Sequence, residues 1–480
     1  MRDQRHWLVR FSAELLVLAL LAGAAAAYAF DLGERWFGWG PIDPATQPAA
    51  VLPPEGLRLP AAKAAPAVAE PGTHKAVDPA KVAASVAPLL RKRVLGPHVS
   101  VLVTDLASGR AVYRAGTPML TPASTTKLLT STAILETLGP MARFRTTVRF
   151  EPGSGRLVLV GGGDPFLAST PDGGGASYPE RADVATLARA AAARLKALGV
   201  PRVRLAFDDS YFSGPDVNPA WPAAYVPDDV VPPISALWVD EGRDPSGSGF
   251  VEDPAAVAAQ TFRAALRGDG VKVGPQLSNV VASPTSRVVA SVRSAPLGEI
   301  VERTLAVSDN EAAEVLSRHV GLAERQEGSF VAGTAATLDV VRRLGVSTTD
   351  DRLYDGSGLS RRNLLRSDTL AGVLRTAEDP AHPELRPVLT GLPVAGFTGS
   401  LAYRFDQGPE PARGRVRAKT GTLTGVHGLA GVADDVGGAQ MAFVVVADRV
   451  RDAKSLEAQV LVDRIAGALG ACRCDVGSSS

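Results

Sequence analysis

Apolar runs rich in β-branched residues, Val99–Asp105 and Ala111–Ala115, flank the Gly-bearing turn Leu106-Ala-Ser-Gly109, which predicts a β-hairpin. From Thr125 to Leu138 the period changes: Leu, Ile and Thr recur at helical spacing until Gly139-Pro140 stops the helix. Between residues 144 and 294 the pattern breaks into short strands, such as Arg145–Phe150 and Arg156–Val160, separated by Gly- and Pro-rich loops including Gly161-Gly-Gly-Asp-Pro165 and Trp221-Pro222. A helix over Asp183–Leu198 is the main exception in this stretch. Helical spacing returns at Pro296–Ala306, Asn310–Leu322 and Phe330–Leu344. Three strands follow in series, Arg415–Thr422, Gly428–Ala433 and Met441–Ala447, and their short connections predict an antiparallel meander closed by a helix over Ala453–Leu469. The expected fold is α/β of the α+β kind. An antiparallel sheet flanked by helices, residues 79–143 with 295–475, is interrupted by a β-rich insertion, residues 144–294.

Upstream of this lie two segments of different character. Arg2, Arg5 and Arg10 precede an apolar run from Leu15 to Phe30, and Ala27-Tyr28-Ala29 has the small-x-small form of a cleavage site. Residues 1–30 therefore read as an export signal, and a cleaved signal peptide and an uncleaved membrane anchor both fit. Residues 31–78, dominated by Pro and Ala from Gly40 onward, carry too little large apolar surface to offset the entropy of ordering and read as an extended linker. The expected location is the extracytoplasmic cell envelope, with the folded part either secreted or tethered.

The 51 basic and 50 acidic residues nearly cancel, so no basic field argues for a nucleic-acid partner. Only nine of the 51 basic residues are lysine. Arginine cannot serve as a proton acceptor whereas a desolvated lysine can, so each retained lysine invites a chemical reading. Cys472 and Cys474 are too close in sequence to promise an unstrained bridge and too few for a zinc site, and no role is assigned to them. No metal or other cofactor is expected.

Ser124-Thr-Thr-Lys127 places a hydroxyl and an amine three residues apart at a helix start, one turn apart on the same face. Free N–H groups there favour developing negative charge, and a serine becomes a useful nucleophile beside a base. Taken alone, a serine that caps the helix and a lysine that snorkels to the surface account for this spacing better than catalysis does. Ser308-Asp309-Asn310 precedes the next helix, where Ser308 and Glu311 also satisfy a capping box. Lys419-Thr420-Gly421, followed by Thr422, lies on the first meander strand, where Gly421 lets a ligand approach the backbone and Lys419 offers charge to a carboxylate.

Ser-x-x-Lys, Ser-Asp-Asn and Lys-Thr-Gly in this order form the signature of penicillin-binding proteins and class A β-lactamases. About 180 residues separate the first two motifs. With that gap, the chain resembles the D-alanyl-D-alanine carboxypeptidase/endopeptidase family of class C penicillin-binding proteins, whose members carry extra domains there. Gly163-Asp164-Pro165, Asp355-Gly-Ser-Gly-Leu-Ser-Arg-Arg-Asn363 and Leu392-Pro-Val-Ala-Gly-Phe-Thr-Gly-Ser-Leu401 share the resemblance. The resemblance implies a penicillin-binding-protein transpeptidase-like domain that cleaves peptidoglycan peptide stems through an acyl-enzyme and is inhibited by β-lactams. It implies Ser124 as nucleophile, Lys127 as base and Ser308 as proton relay. Asn310, Lys419, Thr420, Gly421 and Thr422 would bind substrate, and the N–H groups of Ser124 and Thr422 would hold the oxyanion. A non-catalytic peptidoglycan-binding module and a β-lactamase remain as alternatives.

Overall fold

A computed structural model describes residues 75–173 and 177–476. The export signal and most of the linker lie outside the described residues. The last linker residues are docked: Val77 is buried and the Asp78 carboxylate caps helix α1 (Pro79–Leu90), accepting from Ala80 N at 2.8 Å.

The hairpin is present as β1 (Val99–Asp105) and β2 (Ala111–Gly116), followed by a short strand β3 (Met119–Leu120) and helix α2 (Lys127–Leu138). The insertion contains β4 (Arg145–Glu151), β5 (Arg156–Val160), α3 (Val184–Ala197), β6 (Arg202–Asp208), α4 (Pro254–Gly268), β7 (Lys272–Val273) and β8 (Arg287–Arg293). Three helices follow, α5 (Leu297–Val307), α6 (Asn310–Arg325) and α7 (Phe330–Arg343). Then come β9 (Leu365–Arg366), α8 (Ser367–Glu378) and α9 (Arg386–Thr390). The chain closes with β10 (Val416–Leu423), β11 (Val426–Asp434), β12 (Gln440–Ala447) and α10 (Ser455–Ala471).

The principal sheet has the order β10-β11-β12-β1-β2 and is antiparallel throughout, with Val103 opposite Phe443 and Lys419 opposite Ala430. Successive strand residues point to opposite faces, and here both faces are covered. Leu102, Ala442, Val444 and Val446 enter a core with α2, α5, α6 and α8, whereas Val101, Val103, Phe443 and Val445 enter a second core with α1 and α10. This double coverage is why β12 reads as a continuous apolar run instead of an alternating one.

The insertion builds its own mixed sheet, β7-β6-β5-β4-β8, parallel at β5/β6 and β6/β7. Its core joins Leu157, Leu159 and Phe207 to Leu187 and Leu195 of α3 and Phe262 and Leu266 of α4. Helix α4 adds to the single helix expected here. Its start carries the usual marks: Asp253 accepts from Ala256 N at 2.9 Å and proline stands at the first helical position. Helix α8 was likewise not anticipated.

One expectation is corrected. Cys472 and Cys474 are joined in a disulfide, with Cα atoms 5.3 Å apart, inside the range a bridge can span. The backbone leaves α10 extended at Cys472, and the Asp435 carboxylate accepts from the N–H groups of Cys474 and Asp475, which fixes the tail in this path. Among the described residues no helix is long and apolar enough to cross a membrane.

Candidate active site

Strand β10 is an edge strand, so its outer side is available to whatever packs there. Near its start that side is taken by residues 393–395, with Ala395 N donating to Val416 O and Ala418 N to Pro393 O. Beyond Ala418 it faces the 3-10 turn Ala123–Thr126, which leads directly into α2. A Cβ built on Gly421 would lie 2.7 Å from Pro122 O, so glycine is required for this close approach. The sequence assigned Gly421 to ligand access, and the structure adds contact with the turn that carries Ser124. The loop 356–358 closes on the same turn: Gly358 has φ +90°, and a Cβ there would lie 1.9 Å from Ala123 O.

Ala123 is fully buried at φ 47°, a conformation that L residues rarely adopt. The hydroxyls of Thr125 and Thr126 hold it by donating to Pro122 O at 2.7 Å and Ala123 O at 2.8 Å. Ser124 is thereby presented half-buried, with its hydroxyl 3.1 Å from the Lys127 amine. Ser124 sits in this 3-10 turn and the α-helix proper begins at Lys127, two residues later than the periodicity placed it.

The Lys127 amine has no exposed surface and three partners: Ser124 Oγ, Asn310 Oδ1 at 2.8 Å and Ser357 O at 2.7 Å. Burial lowers its pKa to about 8, against the opposing pull of Glu314, Asp309, Asp355 and Glu311. Asn310 Oδ1 and Ser357 O can only accept, so a neutral amine keeps its two protons on them and turns its lone pair toward the Ser124 hydroxyl. The surroundings thus set both the protonation and the direction of a base.

Ser308 closes α5 in the left-handed conformation at φ 64°, and Asp309, not Ser308, caps α6, accepting from Ala312 N at 2.9 Å. The capping-box alternative for Ser308 does not hold, and its hydroxyl is left to accept from Lys419 Nζ at 2.8 Å. Lys419 is fully buried and also donates to Thr420 O and Thr420 Oγ1, at 3.0 and 3.3 Å. Desolvation first, then the charges of Lys127 and Arg404, push its pKa well down. The Thr420 hydroxyl lies 3.1 Å from that of Ser400. Thr422, one residue past Gly421, is exposed. The structure therefore links the three motifs in a chain of contacts: Ser124 to Lys127, Lys127 to Asn310, and Ser308 to Lys419, which also holds Thr420.

Sequence reasoning missed two residues that hold this arrangement. Glu314, four residues after Asn310 on the same face of α6, is fully buried and accepts from Gly356 N and Ser357 N at 3.1 and 2.8 Å, orienting the carbonyl that receives Lys127. Its pKa is raised to about 7, by burial first and then by the charge of Asp355. Asp355 accepts from Gly358 N, Ser360 N, Asn363 Nδ2 and, from the insertion, Trp221 Nε1 at 2.8 Å. A glutamate one turn past Ser-Asp-Asn was the available signal for the first. The second lies in a segment already singled out, without a role.

A family model described as D-Ala-D-Ala carboxypeptidase 3 (S13) family matches residues 82–246 and 246–469. The chain belongs to that family. It is a serine-type D-Ala-D-Ala carboxypeptidase. A carboxypeptidase DacB of Mycolicibacterium smegmatis is 32% identical over 466 residues, covering 95% of this chain and 96% of the relative. A D-alanyl-D-alanine carboxypeptidase of an Actinomadura species is 30% identical over 438 residues, covering 73% and 78%. Among solved structures, penicillin-binding protein 4 (DacB) of Haemophilus influenzae shares the fold at TM-score 0.64 and 20% identity, covering 81% of this chain and 98% of that one. The same Haemophilus protein has been solved with a bound β-lactam. The resemblance expected from the motifs and the mixed fold with a β-rich insertion both stand.

Proposed function

We propose that Ser124 is the acylating nucleophile of this carboxypeptidase and Lys127 its general base, acting on the D-Ala-D-Ala end of peptidoglycan peptide stems. The observation that carries the reading is the buried Lys127 amine, held on two carbonyl-type acceptors and left with one direction, toward Ser124 Oγ. Ser124 Oγ attacks the carbonyl between the two D-alanines and its proton passes to Lys127 Nζ. The backbone N–H groups of Ser124 and Thr422 stabilise the oxyanion, Ser124 from the turn and Thr422 from the facing strand. The C–N bond breaks, and the proton reaches the departing amine through Ser308, which Lys419 holds by its hydroxyl. Water then hydrolyses the ester and restores Ser124.

In this scheme Asn310 binds the substrate amide with the end of its side chain not used by Lys127. An extended peptide lies along the open edge of β10 at Thr420–Thr422. Full burial of Lys419 keeps its amine behind Thr420, so the substrate carboxylate meets the Thr420 and Thr422 hydroxyls, the first of which the amine orients. A β-lactam, whose strained amide mimics the dipeptide, acylates the same serine and inhibits the enzyme. The enzyme works in the cell envelope, reached through the N-terminal export signal, which either is cleaved or remains as an anchor. Release of D-alanine from a synthetic stem peptide, lost in Ser124→Ala and in Lys127→Ala with the fold retained, is the expected result. Turnover by Ser124→Ala would overturn the assignment.

A further inference from the structure

The segment Leu392–Leu401, to which the sequence attached no role, ends against the third motif. Its last residues, Gly399–Leu401, form a 3-10 turn that touches both α5 and β10. Gly399 has φ 54°, and a Cβ there would lie 2.3 Å from Ala306 O, two residues before Ser308. Glycine is what lets the turn seat against the end of α5. Three further contacts hold it. Gly396 N donates to Leu401 O at 3.0 Å, Val394 N donates to Thr398 Oγ1 at 2.9 Å, and Leu401 is fully buried in the core shared with α1 and α10.

The side chain delivered by this turn is Ser400, half-buried, with its hydroxyl 3.1 Å from Thr420 Oγ1. On its other side Thr420 Oγ1 accepts from Lys419 Nζ at 3.3 Å. The two hydroxyls bring one proton each, and the contact between them uses only one. If Thr420 donates to Ser400, the Ser400 proton is left over; if Ser400 donates to Thr420, the Thr420 proton is. Among the described residues neither hydroxyl has a further partner, so in both arrangements the pair keeps one donor for a group that comes from outside the protein. A carboxylate, which only accepts, is the group that this donor suits best, and its charge makes the bond about twice as strong as one to a neutral acceptor.

We infer that Ser400 is a specificity-determining residue: paired with Thr420, it completes the donor set for the free carboxylate at the substrate's C-terminus. The turn at the end of Leu392–Leu401 thereby favours chains that end at this point over chains that continue or carry a neutral end. Because Gly399 locks the turn onto α5, the hydroxyl is held in place before substrate arrives, beside the helix end that presents Ser308.

The inference rests on the catalytic reading above, and its test separates the two. In the full chain, kcat/KM is measured for two synthetic stem peptides, one ending in D-Ala-D-Ala with a free carboxylate and one ending in the corresponding amide. Wild type, Ser400→Ala and Ser400→Thr are compared. Wild type should prefer the acid. Ser400→Ala should lower the acid-to-amide ratio about tenfold, the loss expected for one hydrogen bond to a charged group. Ser400→Thr keeps a hydroxyl and should keep the ratio. A wild type without preference for the acid, equal losses on both peptides in Ser400→Ala, an unchanged ratio in it, or a ratio lowered as far in Ser400→Thr would overturn the role. Each protein is also treated with a penicillin and the adduct mapped. Absence of label from Ser124 in wild type would remove the catalytic reading, whereas a labelled Ser124 with an unchanged ratio would remove only the role of Ser400.

Discussion

If Lys127 is the base, the rate of acylation must follow its deprotonation, and pH is the perturbation that reads this most cleanly. An ordinary lysine with a pKa near 10.4 is about 0.04% neutral at pH 7, too little to serve as a base. Burial lowers Lys127 to about 8, which makes roughly a tenth of it neutral at pH 7 and about nine-tenths at pH 9. The acylation rate, measured as the second-order constant for a fluorescent penicillin at saturating enzyme stability, should therefore rise about tenfold between pH 7 and pH 9 and bend near 8. The negative charges of Glu314, Asp309, Asp355 and Glu311 keep the value from falling further, so the bend belongs at mildly alkaline pH and not below neutrality. A rate flat from pH 6 to 9, or one rising without a bend toward pH 10.5, would refute the assignment of Lys127 as a desolvated base.

Other outcomes follow from the same geometry. Ser308→Ala removes the hydroxyl between Lys419 and the leaving group and should slow turnover by about a hundredfold, in line with the loss of one proton-transfer group, while the melting temperature stays close to wild type. Gly421→Ala would bring a Cβ to 2.7 Å from Pro122 O, so it should displace the Ser124 turn and cut penicillin acylation sharply; unchanged labelling would contradict the packing. Asp355→Ala strands the Gly358, Ser360, Asn363 and Trp221 donors in a buried site and should cost about 4 kcal/mol in denaturant unfolding.

The parts of this molecule that could be read before folding are those whose physics is local. Ser124 and Lys127 are three residues apart, so helical geometry alone brings hydroxyl and amine together, and the Gly139-Pro140 stop and the meander strands are likewise short-range signals. Glu314 escaped notice because its partner, the loop at 356–357, is some forty residues away, and a charged residue on a helix face is usually solvated. The disulfide was misjudged because separation of two residues says little until the path after α10 is known. Helices α4 and α8 were lost in loop-rich surroundings, although Asp253-Pro254 marks the start of the first. Lys419 illustrates the opposite limit. Its place on a strand was legible, but full burial behind Thr420 could come only from the contacts of β10 with Ser308 and the Ser124 turn.

The central claim is that Ser124 carries the acyl group, and intact-mass analysis of the purified chain after addition of a penicillin tests it most directly. A single adduct of the drug's mass that persists on wild type, maps to the peptide containing Ser124 and is absent from Ser124→Ala is the predicted result. An adduct that survives in Ser124→Ala, or none on the folded wild type, would contradict it.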